Sequence, residues 1–255
     1  ISVGATENAI LAAVSAKGKT IISNCAIEPE IQDMIIFLKK IGCSINFVGK
    51  RKILIIGTTK FKSTIHHIIF DRIELGTYLI AAALVGKKII FSKIKSKVIE
   101  TELKLLKKMG VKMKVGKNKI IIFESDKINS ANVKTESYPG FPTDLQAQIM
   151  VLMLKAKGTS TITENIFENR FMHVPELRRM GAKINIKKNK AFIIGPINLS
   201  GAEVMATDLR ASVSLVLAAL TADNTTVINR VYHLDRGYEN LEKKLKNCKA
   251  NIKRA

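Results

Sequence analysis

The chain has 255 residues, 47% apolar and 25% charged, a balance that excludes intrinsic disorder at a length more comfortable for two domains than for one. Its longest unbroken apolar run, residues 78–85, is far short of the ~20 residues that a membrane span requires, so no membrane partner is expected. The net charge of +21 (42 Lys+Arg against 21 Asp+Glu) is spread along the chain, and with 5% aromatics and no Trp to stack bases, no nucleic-acid partner is expected.

The opening Ile1-Ser2-Val3-Gly4 reads as the interior of a longer sequence, and no signal peptide is expected. From there an internal repeat organises the chain. A helical segment, a turn and a strand are predicted four times, over 5–22, 74–90, 143–162 and 207–228. Each is followed by a second helix ending on a similar signature: Leu38-Lys39-Lys40-Ile41-Gly42, Leu106-Lys107-Lys108-Met109-Gly110, Leu177-Arg178-Arg179-Met180-Gly181 and Leu245-Lys246-Asn247-Cys248-Lys249. The closing positions stand 68, 71 and 68 residues apart, with Lys249 where the other copies have Gly.

Within the copies, Ile31, Met34, Ile35 and Leu38 form an apolar stripe at helical spacing, and Val213, Val216, Leu217 and Leu220 repeat it. Gly42, Gly110 and Gly181 suit the left-handed residue that closes a helix. A hairpin is predicted next, as in Val111, Met113 and Val115 followed by 120–123 across Gly116-Lys117-Asn118. Each unit therefore reads β-α-β-α-β-β, with the fourth hairpin cut short and with polar connectors at 126–137 and 195–203.

Three separated cysteines, Cys25, Cys43 and Cys248, have no CxxC or nearby His and read as buried structural thiols of a reducing, cytoplasmic protein. No metal and no cofactor are expected. Pro142-Thr143-Asp144 and Ala206-Thr207-Asp208 open helices, where Thr and Asp serve as caps. The sharper alternative is a carboxylate held ionised at a helix mouth, with Arg210 close by, acting as a base. In 233–239 (His-Leu-Asp-Arg-Gly-Tyr-Glu), Arg236 and Arg210 could clamp a phosphate or carboxylate, or the segment could be a solvated turn. Residues 168–177 mix ionic and apolar groups and read equally as substrate contacts or as an internal Glu–Arg network.

Four of these segments, 142–148, 168–177, 205–212 and 233–239, with 2–8 and 71–77, resemble the UDP-N-acetylglucosamine 1-carboxyvinyltransferases, a family of enolpyruvyl transferases. The resemblance runs in order through the whole chain. It implies an inside-out α/β barrel of six β-α-β-α-β-β units in two domains of three, with about four units present here. Residues 1–68 would be the last unit of the first domain. Residues 69–255 would be the second domain, lacking its N-terminal strand. The implied reaction joins phosphoenolpyruvate to the 3′-hydroxyl of UDP-N-acetylglucosamine and opens peptidoglycan synthesis.

By that resemblance Asp144 is the base for the hydroxyl and Asp208 lies near the reacting carbons. Arg210 and Arg236 hold phosphoenolpyruvate. Thr143 and the backbone at Ile166 and Phe167 contact the UDP-sugar, and Ser2, Val3 and Gly4 lie along the uridine diphosphate. The family's N-terminal lysine–asparagine pair and its mobile cysteine-bearing loop have no counterpart here, and none of the three cysteines inherits that role. The implied partner is the missing N-terminal portion of the same enzyme, without which this chain is expected to be inactive. A non-catalytic binding or assembly protein of the same fold stays open as an alternative.

Overall fold

The computed structural model describes residues 1–254. The chain divides into two compact units, Ile1–Phe70 with Ser137–Pro139, and Asp71–Glu136 with the chain from Gly140 on. No helix among the described residues is long and apolar enough to cross a membrane.

The first unit holds α1 (Val3–Ala13), β1 (Lys19–Ser23), α2 (Pro29–Lys40), β2 (Ser44–Gly49) and β3 (Lys52–Ile56). Ser2 caps α1 by accepting a hydrogen bond from the Ala5 amide, and Pro29 opens α2 where its missing N–H costs nothing. The strands are antiparallel in the order β1-β3-β2. The predicted stripe of α2 buries Ile31, Ile35 and Leu38 against Ile45, Ile53 and Ile55 of the sheet's inner face. Met34 is only partly covered.

The second unit repeats the pattern. It continues with α3 (Arg72–Val85), β4 (Lys88–Ser92), α4 (Glu100–Lys108), β5 (Met113–Val115) and β6 (Lys119–Phe123). The next copy is β7 (Asn132–Lys134), α5 (Gln146–Leu154), β8 (Gly158–Thr163), α6 (Val174–Arg179), β9 (Lys183–Lys187) and β10 (Lys190–Gly195). The last is β11 (Glu203–Met205), α7 (Leu209–Ala219), β12 (Val227–Asn229), α8 (Tyr232–Asp235) and α9 (Leu241–Asn247). The sheets run β4-β6-β5, β7-β8-β10-β9 and β11-β12. The fullest copy shows the unit's plan: a first strand parallel to the second, then the hairpin added antiparallel beyond it.

Helices, not strands, occupy the centre of this unit, and no sheet closes on itself among the described residues. α3, α5 and α7 pack on one another and are buried nearly all round, as helices without a polar face must be. Gly76 lets α3 approach, because a Cβ there would stand 2.4 Å from Leu145 Cδ1. The predicted stripe of α7 is buried at Val213, Val216 and Leu217 and partly covered at Leu220, and Ser212 and Ser214 on its other faces are buried too, their hydroxyls bonded to the carbonyls of Asp208 and Ala211.

Two further expectations are corrected. The supposed polar connector 126–137 contains β7, in which buried Val133 alternates with exposed Asn132 and Lys134, and the flanking Ala131 and Thr135 are buried as well. Cys25 and Cys43 are buried, but Cys248 is exposed, because it caps the short surface helix α9. The glycine reading holds: Gly42, Gly110 and Gly181 have φ of 105°, 90° and 94°, and Lys249 adopts 69° in their place. In each, the following amide reaches back five residues to the helix, from Cys43 to Leu38, Val111 to Leu106, Ala182 to Leu177 and Ala250 to Leu245.

Candidate active site

Three helix mouths of the second unit share an Asp, but only two use it alike. Asp71 accepts from the amides of Ile73 and Glu74 at the start of α3, and Asp208 accepts from those of Arg210 and Ala211 (2.8 and 2.9 Å) at the start of α7. These are caps. Asp144 is not, because residues Thr143–Leu145 form a 3-10 turn ahead of α5 that carries its carboxylate away from the helix amides.

The Asp144 carboxylate, 36% exposed, instead meets two guanidinium groups. Arg170 Nη2 donates to Oδ1 at 2.6 Å and Arg210 Nη2 to Oδ2 at 3.4 Å. Arg170 stacks over the Phe167 ring at 4.7 Å. Arg210 donates to the Tyr238 hydroxyl at 3.3 Å. Burial opposes the charge of Arg210, but Asp144 and Tyr238 outweigh it and raise its pKa.

Behind this pair lies a buried hydroxyl network. The Tyr238 and Thr77 hydroxyls are 2.9 Å apart, and Thr77 donates to the Ile73 carbonyl. Thr77 therefore accepts from Tyr238, leaving the Tyr238 oxygen to accept from Arg210 and from Gln148 Nε2 at 3.4 Å. Gln148 also donates to the Asp144 carbonyl at 2.9 Å. Burial pushes the Tyr238 hydroxyl pKa up, against the pull of Arg210, so it stays protonated. α3, α5, α7 and the turn after α8 are thereby tied to the two ends of the Asp144–Arg210 pair.

At the end of β8, the buried Glu164 carboxyl accepts from the hydroxyls of Thr135 and Thr143 and from the amides of Ile166 and Phe167. The side chains of Ile166 and Phe167 are exposed. His173, wholly buried, has its pKa pushed down to about 4 by desolvation, with Asp208 opposing and Arg170 assisting, and is neutral near pH 7. No group of three or more metal-binding side chains occurs among the described residues.

The structure thus brings together Asp144, Arg210, Thr143, Ile166 and Phe167 in the second unit, with Asp208 two residues before Arg210 and accepting from its amide. Ser2, Val3 and Gly4 form the exposed start of α1 in the first unit. Arg236 is exposed at the end of α8, and it shares no partner with Arg210 among the described residues. Its neighbour Asp235 pairs with both Arg254 nitrogens, at 2.6 and 3.0 Å. Of the two readings of 168–177, the internal Glu–Arg network does not hold for Arg170, which binds Asp144 and not a glutamate. Arg170, Gln148, Thr77 and Glu164 were not singled out by sequence. A pair of Gln residues opening an otherwise apolar helix and a Glu directly after a strand were the available signals.

The profile of the family described as EPSP synthase (3-phosphoshikimate 1-carboxyvinyltransferase) matches residues 1–245. The chain is 59% identical over 254 residues to the UDP-N-acetylglucosamine 1-carboxyvinyltransferase of Pelagibacter ubique and 52% identical to that of Rickettsia bellii. Each alignment covers 100% of this chain and 61% of the relative, so the chain spans about three fifths of their length. Among solved structures, the enolpyruvyl transferase NikO of Streptomyces tendae superposes with a TM-score of 0.91 at 28% identity, over 98% of this chain and 60% of that one. The EPSP synthase of Acinetobacter baumannii, at 16% identity and a TM-score of 0.74, shares the fold.

Proposed function

The chain belongs to the EPSP synthase family of enolpyruvyl transferases, and on that premise we propose that it is the C-terminal part of a UDP-N-acetylglucosamine 1-carboxyvinyltransferase. In this reading residues 1–68 are the last unit of a first domain and 69–255 a second domain lacking its N-terminal strand. The full protein moves the enolpyruvyl group of phosphoenolpyruvate to the 3′-hydroxyl of UDP-N-acetylglucosamine and releases phosphate. It acts in the cytoplasm, at the first committed step of peptidoglycan synthesis and so of cell-wall formation.

The observation that carries this reading is the uncapped Asp144 carboxylate between Arg170 and Arg210, in a chain 59% identical to such an enzyme over its whole length. A carboxylate that caps no helix and faces the site is free to serve as a general base. Asp144 takes the proton of the sugar 3′-hydroxyl as its oxygen adds to C2 of phosphoenolpyruvate, while a proton is delivered to C3. A tetrahedral ketal results. Loss of a proton from C3 then expels phosphate and restores the double bond, so the protons balance. Arg210 and Arg236 bear the anionic charge of phosphoenolpyruvate through forked hydrogen bonds. Asp208 lies by the reacting carbons. Thr143 and the backbone of Ile166 and Phe167 meet the UDP-sugar, with Ser2, Val3 and Gly4 along its diphosphate.

The test is Asp144→Asn in the full-length enzyme, with phosphate release as the readout. General-base catalysis contributes about 10²–10⁴ in rate, so turnover should drop by that order. Asp144 caps no helix, so a cap effect does not confound the result. Turnover near wild type would refute the base role.

A further inference from the structure

Glu164 is 2% exposed and lies within hydrogen-bond distance of four donors from three separate segments. Its Oε1 accepts from Thr135 Oγ1 at 2.8 Å, the Ile166 amide at 2.8 Å and the Phe167 amide at 3.1 Å. Its Oε2 accepts from Thr143 Oγ1 at 2.9 Å. The Thr135 hydroxyl, having given its proton to Glu164, accepts from the Asn165 amide at 2.9 Å. Four donors and no acceptor surround the group, which suits a side chain that can only accept. None of the four donors is charged. A carboxyl in such a place fixes geometry, because without it the buried Thr135 hydroxyl would be left unsatisfied and three part-buried donors would lose their partner.

What it fixes is specific. Thr143 is the residue before Asp144. Ile166 and Phe167 begin the loop that carries Arg170, and the Phe167 ring supports the Arg170 guanidinium. One side chain therefore holds the backbones on both sides of the 2.6 Å contact between Asp144 and Arg170. We propose that Glu164 is the positioning residue of this site. It sets the register between the Asp144 turn and the 165–170 loop, so that Asp144 meets Arg170 and the 166–167 backbone faces the nucleotide sugar. This rests on the function proposed above, in which those groups serve base and substrate.

The experiment uses the full-length enzyme with Glu164→Ala, Thr135→Val and Thr135→Ser, each assayed well below its measured Tm. Thr135→Val keeps shape and deletes one hydroxyl, while Thr135→Ser keeps the hydroxyl. A positioning role predicts that Glu164→Ala lowers kcat/KM for UDP-N-acetylglucosamine by about tenfold or more, the equivalent of about one charge-assisted hydrogen bond. Part of that loss should appear as a raised KM for the nucleotide sugar, with KM for phosphoenolpyruvate less affected. Thr135→Val should lose several-fold and Thr135→Ser should recover it.

A purely structural Glu164 would lower Tm in the Ala variant yet leave kcat and both KM values of the folded enzyme within twofold, which would overturn the proposal. Should Glu164→Ala fail to fold, the Thr135 pair decides alone: equal kinetics for Val and Ser overturn it. Should the wild-type enzyme not turn over this substrate pair, the functional reading fails. The positioning claim is then decided by the crystal structure of Thr135→Val, supported if Arg170 leaves Asp144 and overturned if the contact persists.

Discussion

Glu102 shows how one buried residue imprints a pH dependence on the fold. It sits in the first turn of α4, and desolvation raises its pKa from the ordinary 4.5 to about 7, with Arg72 at 3.8 Å pulling the other way without prevailing. The folded state keeps a proton that the unfolded chain gives up at lower pH. This group's penalty is therefore absent below about pH 4.5, grows through the window up to 7 and is complete above it. Glu102→Gln should then be more stable than wild type by about 2–3 kcal/mol at pH 8 and no more stable at pH 4, as read from urea midpoints. Equal midpoints at pH 8 would show that Arg72 fully compensates the burial. Asp208 poses a different question at the same scale, since it caps α7 and is also expected beside the reacting carbons. Asn at that position keeps the cap, whereas Ala costs about 1 kcal/mol. A stable Asp208→Asn enzyme with depressed turnover would separate chemistry from capping, and unimpaired turnover would leave it a cap alone.

At the scale of elements, the four helix closures form a natural series. Three end on Gly and the fourth on Lys249, with the same hydrogen bonds and a φ of 69°. A side chain in the left-handed region costs roughly 1–2 kcal/mol, partly offset by the greater freedom of Gly in the unfolded chain. Lys249→Gly should therefore raise stability by about 0.5–1 kcal/mol. Gly181→Ala should lower it by about 1 kcal/mol, because the space beside Gly181 is open and only the backbone conformation is at stake. Thermal denaturation of both variants checks the pair, and a destabilised Lys249→Gly would mean that the Lys249 side chain does more than tolerate its φ. The central helices belong to this scale as well. α3, α5 and α7 each bury nearly every residue because two like helices cover their remaining faces.

At the scale of the whole molecule, α1 lacks that cover. It is as apolar as α3, yet it buries only Thr6, Ile10 and Ala13 and leaves Leu11 exposed. Ile21, Ile36, Val48 and Ile56 of the same unit are exposed too, and Ile65 and Ile68 are 83% and 85% exposed in the segment that follows β3. A repeat unit stabilises itself through its neighbours. Limited proteolysis followed by mass spectrometry should consequently remove residues 1 to about 68 first, and first cuts within 140–240 would contradict this. Since the proposed reaction draws on a first domain of which one unit is present, this chain alone should release no phosphate from phosphoenolpyruvate and UDP-N-acetylglucosamine. Turnover in the ordinary range of about 1–10³ s⁻¹ would overturn that expectation.

The repeat, its helix closures and the family were legible in the sequence because each rests on local demands: apolar periodicity, a positive φ after each helix and uninterrupted motifs. β7 escaped because its three-residue alternation sits between polar flanks that read as a connector. The site was legible as a set of segments but not as a set of contacts. Thr143-Asp144 and Thr207-Asp208 look alike on paper, yet one Asp caps a helix and the other faces two arginines. That difference is made by a single 3-10 turn and by partners 26 and 66 residues away. Tyr238 and Thr77 lie 161 residues apart, and only the packing of α3 with α7, and of α8 on α7, brings their hydroxyls together. Spacing along a chain states which residues can share a helix face. Which carboxylate meets which guanidinium is decided by where packed helices place their ends, and that is a property of the tertiary structure alone.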